Sequence, residues 1–229
     1  MFPFPFSFIG SAIVPDVPVE RIANAEAMSF NGTDAYIDTG ATPLSLSLPA
    51  TTVTGSDFSL SFWYYFDTNQ NYDPIIQATQ SATNGFGVWQ SSTNTASLNF
   101  FVGHYSSGSL NTSQLTSGTW YHIACVFEGG ATHTQSIYVN GVPNNSVSYT
   151  TSRVIHSGKN CLIGGQTFQA RYFEGKLDEF AIFNTALSAS KIQQIYDATA
   201  VVDGVPQTAN LFTGGLDSSL VYWNRMGDS

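Results

Sequence analysis

The stretch GKLDEFAIFNTALSASKIQQIYD, Gly175 to Asp197, sets two kinds of local structure side by side. Its first half reads as a strand, with Leu177, Phe180 and Ile182 directed largely into a core. Its second half changes period. Ile192, Ile195 and Tyr196 recur at i, i+3, i+4 and make one narrow apolar stripe, as on a helix. Ser188 is a good N-cap, and Leu187 and Ile192 occupy hydrophobic-staple positions. Lys191 stands where a full capping box would place Glu. The helix is expected to end near Ala198 and to lie on the rest of the protein by one edge.

Upstream, almost everything reads as short strands. DFSLSFWYYF (57–66) alternates small polar and large apolar residues, as a half-buried strand does. Further strand patterns follow at DPIIQAT, GFGVWQSS, ASLNFFVGHY, TWYHIACVFEG, QSIYVNGV and CLIGGQ. Turn signals separate them: Asn31-Gly32, Asn84-Gly85, Gly129-Gly130, Asn140-Gly141 and Gly164-Gly165. Many short strands at roughly ten-residue spacing point to an all-β, two-sheet antiparallel sandwich carrying one short helix.

The chain of 229 residues is 42% hydrophobic and 14% aromatic, enough for a substantial core. Only 10% of residues are charged, well below the average of about 25%. Its polar surface must therefore be built from Ser, Thr, Asn and Gln, which suits adhesins, lectins and virus particles. The net charge is −9, and the seven Lys and Arg form no basic stripe, which argues against nucleic-acid partners. The acidic balance also argues against anionic membranes, and no apolar run approaches the ~18 residues of a membrane helix. Cys125 and Cys161 form neither a disulfide framework nor a metal motif and are expected as half-buried thiols in strands.

Three regions are expected: an arm at 1–26, a sandwich at 27–199, and a linker with a strand-like tail at 200–229. In the arm, FPFPFSF alternates Phe with Pro, which enforces an extended path. Phe2, Phe4, Phe6 and Phe8 then project from a backbone that cannot fold back on itself. They suit docking into another subunit, or packing on the chain's own domain. MFPFPFSFIGSAIVP lacks the cationic leader of a secretion signal and reads as mature sequence.

The order MSFNGTDAYIDTG, FSLSFWYYF, TWYHIACVFEGG, SIYVNGV, LIGG, FEGKLDEFAIFNTALSASKIQQIY resembles the laminin-G-like, concanavalin-A-like sandwich family over about residues 28–197. The resemblance implies a jelly roll whose final strand feeds a short helix at the sandwich edge. It says less about activity, because that fold hosts lectins, adhesins, glycosidases and structural proteins. SLVYWNRMGDS (219–229) resembles the family's first strand, displaced to the end of the chain. Tyr222 and Trp223 are therefore expected to anchor a strand, either in its own domain or donated to a neighbour.

The Glu-x-Asp-x-Glu pattern of the family's glucanases is absent. Asp178 and Glu179 are adjacent, so on a regular strand they would face opposite sides and share no substrate. No Gly-x-Ser-x-Gly elbow occurs, and His122, which matches a family position, is expected as a structural imidazole. The chain therefore reads as a non-enzyme. The resemblance implies a Ca2+ at the sandwich rim, with Asp34, Asp38, Asp178 and Glu179 as the acids near the matching positions. Sugar binding would use exposed aromatic platforms, for which Tyr72, Trp89, Tyr105 and Tyr172 are candidates. Two functions follow. One is a structural or adhesion subunit of a larger particle, such as a virion-surface capsid decoration or fibre protein, assembled as a homo-oligomer, for instance a trimer. The other is a free extracellular lectin.

Overall fold

The fold is given by a computed structural model that describes residues 17–51, 57–68, 72–81, 84–91, 96–103, 108–155 and 158–228. Its first strands are β1 (Arg21–Ala23), β2 (Met28–Asn31), β3 (Ile37–Asp38), β4 (Phe58–Tyr65), β5 (Pro74–Ser81) and β6 (Asn84–Gln90). The middle holds β7 (Leu98–Val102), β8 (Ser109–Asn111), β9 (Tyr121–Glu128), β10 (His133–Val139), β11 (Val142–Tyr149) and β12 (Leu162–Ile163). The last part holds β13 (Gly165–Gln166), β14 (Arg171–Tyr172), β15 (Glu174–Phe183), α1 (Ala189–Asp197), β16 (Ala200–Val202), β17 (Val205–Ala209) and β18 (Leu220–Asn224).

Two antiparallel sheets face each other. One runs β11-β10-β9-β4-β15-β18, with β2 also paired to β15. The other runs β3-β12-β5-β6-β7-β8. Between them lies the main core, including Phe58, Leu60, Phe62, Phe86, Phe100, Phe127 and Phe180. The alternation along β4 sends Phe58, Leu60, Phe62 and Tyr64 into this core, as the sequence pattern requires. Asn140 and Gly141 both have positive φ (51° and 80°), which makes the tight β10–β11 turn that Asn-Gly announces. Gly164, at φ 77°, lets the ring of Phe30 approach where any side chain would overlap it.

The larger sheet is buried on its second face as well. Ala124, Val126, Ala181 and Phe183 pack there beneath Leu187, Ile192 and Ile195 of the helical segment and Ala209, Leu211 and Leu216 beyond it. The helix thus covers a sheet face rather than the edge expected from sequence, because Ala181 and Phe183 point outward from β15. Ser188 caps it, accepting from Lys191 N at 3.2 Å, and Ala198 closes it. Beside it β1, β17 and β16 form a small sheet. Residues 21–23 and 200–209, placed outside the sandwich by the sequence reading, thereby pair with each other across this face.

The tail folds back in cis. β18 pairs with Phe180–Phe183 of β15, while β2 pairs with Glu174–Leu177 along the same edge. Tyr222 packs against the main core, and Trp223 packs against the second cluster and donates to Glu179 Oε2 at 2.6 Å. Both are occupied within their own domain, where the anchoring role had placed them on a neighbour as one alternative. Phe2, Phe4, Phe6 and Phe8 lie outside the described residues. Cys125 and Cys161 are free, buried thiols; burial raises the pKa of Cys161 to about 12 and of Cys125 further.

Candidate functional site

The register of the smaller sheet builds one polar row from three strands. Leu162 of β12 sits opposite both Asp38 of β3 and Gln77 of β5. Their neighbours Ile37, Ile163 and Ile76 point into the core. Asp38, Leu162 and Gln77 must then share the outward face. Together with Tyr36, Thr79, Lys159, Asn160, Thr167 and Phe168 they line an open cavity of about 420 Å³.

The rims and floor of this cavity differ in chemistry. Tyr36 is 42% exposed and Phe168 53% exposed, so both rings present apolar faces to solvent. Tyr36 is braced by Tyr172, whose ring centroid lies 6.3 Å away. On the floor, Gln77 is 2% exposed and its Oε1 has no hydrogen-bond partner among the described residues. An unsatisfied buried carboxamide is destabilising by roughly 1–3 kcal/mol unless a ligand or water completes it. Asp38 Oδ1 accepts from Gly40 N at 2.8 Å and from Asn160 Nδ2 at 2.9 Å, which fixes the carboxylate at the cavity wall. Thr79 donates its hydroxyl proton to Asn84 O at 2.7 Å.

The aromatic candidates separate into different places. Tyr172 supports the cavity from behind through Tyr36. Tyr72 is exposed, at φ 64°, with the Arg171 guanidinium 5.2 Å from its ring centroid. Trp89 is not a platform: it is 7% exposed and packs edge-on against Phe101 at 5.1 Å. The two rings fit together there because Gly87 leaves space against Phe101. Tyr105 lies outside the described residues. Sequence reasoning missed Tyr36, Gln77, Asn160 and Phe168. Strand alternation marks Gln77 as outward, but only the long-range register brings it beside Asp38.

The four acids expected around a Ca2+ do not converge. Asp34 accepts from Asn31 Nδ2 at 2.8 Å within the Asn31-Gly32 turn, and Asp38 belongs to the cavity. Asp178 and Glu179 lie on β15 beneath residues 23–24 and 225–228. Among the described residues no group of three or more His, Cys, Asp or Glu side chains could hold a metal ion.

Asp178 and Glu179 also depart from the expected opposite-face placement. Asp178 pairs with Trp63 and Ala181 with Ser61, so Glu179 and Phe180 together oppose Phe62. This bulge, with Glu179 at φ 49°, keeps Leu177 and Phe180 both inward and turns both carboxylates outward. There they hold Asn24 and Arg225. Asp178 Oδ2 accepts from Asn24 Nδ2 at 2.8 Å. Arg225 donates to Glu179 Oε1 at 3.2 Å and to Ala23 O, and pairs with Asp228 at 3.5 Å. Burial is the largest influence and raises Asp178 to about 6 and Glu179 to about 7, with Arg225 pulling both down.

Ser61 Oγ lies 2.9 Å from His122 Nε2, but this pair makes no catalytic triad. His122 Nδ1 has no hydrogen-bond partner among the described residues, and burial lowers the imidazole to about 4. The adjoining cavity holds only about 10 Å³.

Residues 31–193 match the family described as the concanavalin A-like lectin/glucanases superfamily. The chain belongs to that superfamily. The heptameric SAP-like pentraxin of Limulus polyphemus shares its fold, with TM-score 0.55 and 18% identity over 80% of this chain and 83% of that one. The CBM40 of Ruminococcus gnavus IT-sialidase, bound to α2,3-sialyllactose, gives TM-score 0.59 and 12% identity over 78% of this chain and 99% of that one. The receptor-binding domain of botulinum neurotoxin D gives 0.56 and 14%, over 82% of this chain and 51% of that one. No curated protein sequence matches the chain. These structural neighbours are carbohydrate- or receptor-binding modules or a pentraxin, and at such identities the likeness concerns fold alone.

Proposed function

We propose that this protein is a non-enzymatic glycan-binding module whose site is the cavity over β3, β12 and β5. The observation that carries this reading is the pairing of exposed rings, Tyr36 and Phe168, with a buried polar floor at Gln77. A pyranose needs both: its C–H face lies on an aromatic ring and its hydroxyls seek directed polar partners. The volume suits one or two sugar units. A structural neighbour carrying sialyllactose supports glycan recognition as a use of this sandwich. The test is a glycan array probed with the full chain and with Phe168→Ala. Retention of at least one glycan class, weakened about tenfold or more in the variant, supports the module. An array on which the folded chain retains nothing contradicts it.

Exposed apolar side chains favour a second role alongside the first. Val201, Val202 and Val205 of the β16–β17 hairpin and Phe212 face solvent. Such side chains suit a subunit contact, as in a virion-surface decoration or fibre protein built from several copies. Removing residues 1–14 and measuring native mass by light scattering tests the Phe-Pro arm as its anchor. An oligomer that becomes a monomer supports this role, and an identical mass for both chains removes the arm from it.

A further inference from the structure

We infer that the cavity takes an uncharged sugar through two neighbouring hydroxyl groups, read directly by Asp38 and Gln77 without a metal ion. This rests on the glycan-binding reading and narrows it to a ligand class.

The hydrogen-bonding inventory of the cavity carries the argument. Both protein bonds to the Asp38 carboxylate fall on Oδ1, from Gly40 N and Asn160 Nδ2. Oδ2 carries neither, so the carboxylate is oriented while one oxygen remains to accept. Gln77 lies in the same outward row, one strand beyond Leu162, and its buried Oε1 is an acceptor without a partner among the described residues. Rotation about the last torsion of its side chain turns this oxygen to the cavity. Thr79 commits its proton to Asn84 O and so donates nothing inward. Toward the Asp38 and Gln77 oxygens the ligand must therefore bring donors. Two adjacent sugar hydroxyls supply them, and a hydrogen bond to a carboxylate is stronger than one to a neutral acceptor.

Charge points the same way. Among the described lining residues Asp38 is the one acid and Lys159 the one cation, within a chain of net charge −9. At the Asp38–Gln77 end of the cavity a sugar carboxylate or sulfate offers acceptors to acceptors and places its charge near Asp38. The donor set also disfavours a bridging divalent cation. Ca2+ takes six to eight oxygen ligands, commonly from several carboxylates, and the described lining of this cavity has a single one. The carboxylate instead meets the hydroxyls itself, while the ring faces of Tyr36 and Phe168 take the apolar side of the sugar.

Saturation-transfer NMR on the full chain tests this with methyl glycosides of galactose, glucose and mannose. 3′-Sialyllactose and a sulfated disaccharide are the acidic comparators. At least one neutral glycoside is expected to bind in preference to both acidic sugars, with affinity unchanged by EDTA. Asp38→Asn, at an exposed position, should weaken it about tenfold while leaving the melting temperature in place. Preference for an acidic sugar, loss of binding in EDTA, or an Asp38→Asn variant that binds as the parent does would overturn the inference and leave glycan binding standing. A folded chain that binds neither class overturns both.

Discussion

At the scale of single residues, Glu179 shows how context outweighs sequence spacing. Two adjacent acids on a strand should part to opposite faces, yet the bulge brings Asp178 and Glu179 to one side, beside Arg225 and Asp228. Leu177 and Phe180 held the signal: both are core residues, and an interval of three between them is out of phase with a regular strand. The raised carboxylates give a pH prediction. A carboxyl group whose folded pKa lies above its unfolded value holds more protons in the folded state. Its contribution is complete below the ordinary carboxylate range and is lost as pH rises through about 6 for Asp178 and about 7 for Glu179. Asp73, raised to about 6 mainly by burial, acts in the same direction. His122, lowered to about 4 by burial, and His133, lowered by burial and then by Arg153, act oppositely, but mostly below pH 6.5. From pH 6.5 to 8 the melting temperature should therefore fall, and Glu179→Gln should flatten that slope. A variant with the parent slope would remove Glu179 from the account.

At the scale of elements, the strands and the helix were legible because their periods are local. The N-cap at Ser188, the stripe at Ile192 and Ile195, and the Asn140-Gly141 turn all stand where short-range chemistry places them. What the helix covers was not legible, because it depends on the outward face of β15 and on residues up to Leu216. Ser188→Ala should lower stability by about 1 kcal/mol, read by urea denaturation. A loss near zero would mean that packing under Leu187 and Ile195 holds the helix without its cap. The tail behaves similarly. Its strand character could be read from Leu220 to Trp223, but its partner, β15 in the same chain, is fixed only by the fold.

At the scale of the whole molecule, the sandwich serves as a frame for surfaces on opposite sides. The larger sheet is closed outward by the helix, the small sheet and residues 209–223. Among the described residues the smaller sheet leaves its outward face open at β3, β12 and β5, where the cavity lies. Composition indicated a surface of Ser, Thr, Asn and Gln, as suits adhesins, lectins and virus particles, but the site joins Tyr36, Gln77, Asn160 and Phe168 from distant parts of the chain. Alternation shows which way each side chain points, and it cannot show which strands become neighbours. The most direct test of a glycan site here is an amide NMR titration of the full chain with the glycan that binds it best. Shifts confined to Tyr36, Asp38, Asn160, Phe168 and the Gln77 side-chain amide are the predicted result. Shifts centred instead on Tyr72 and Arg171, or on the β16–β17 hairpin, would contradict it.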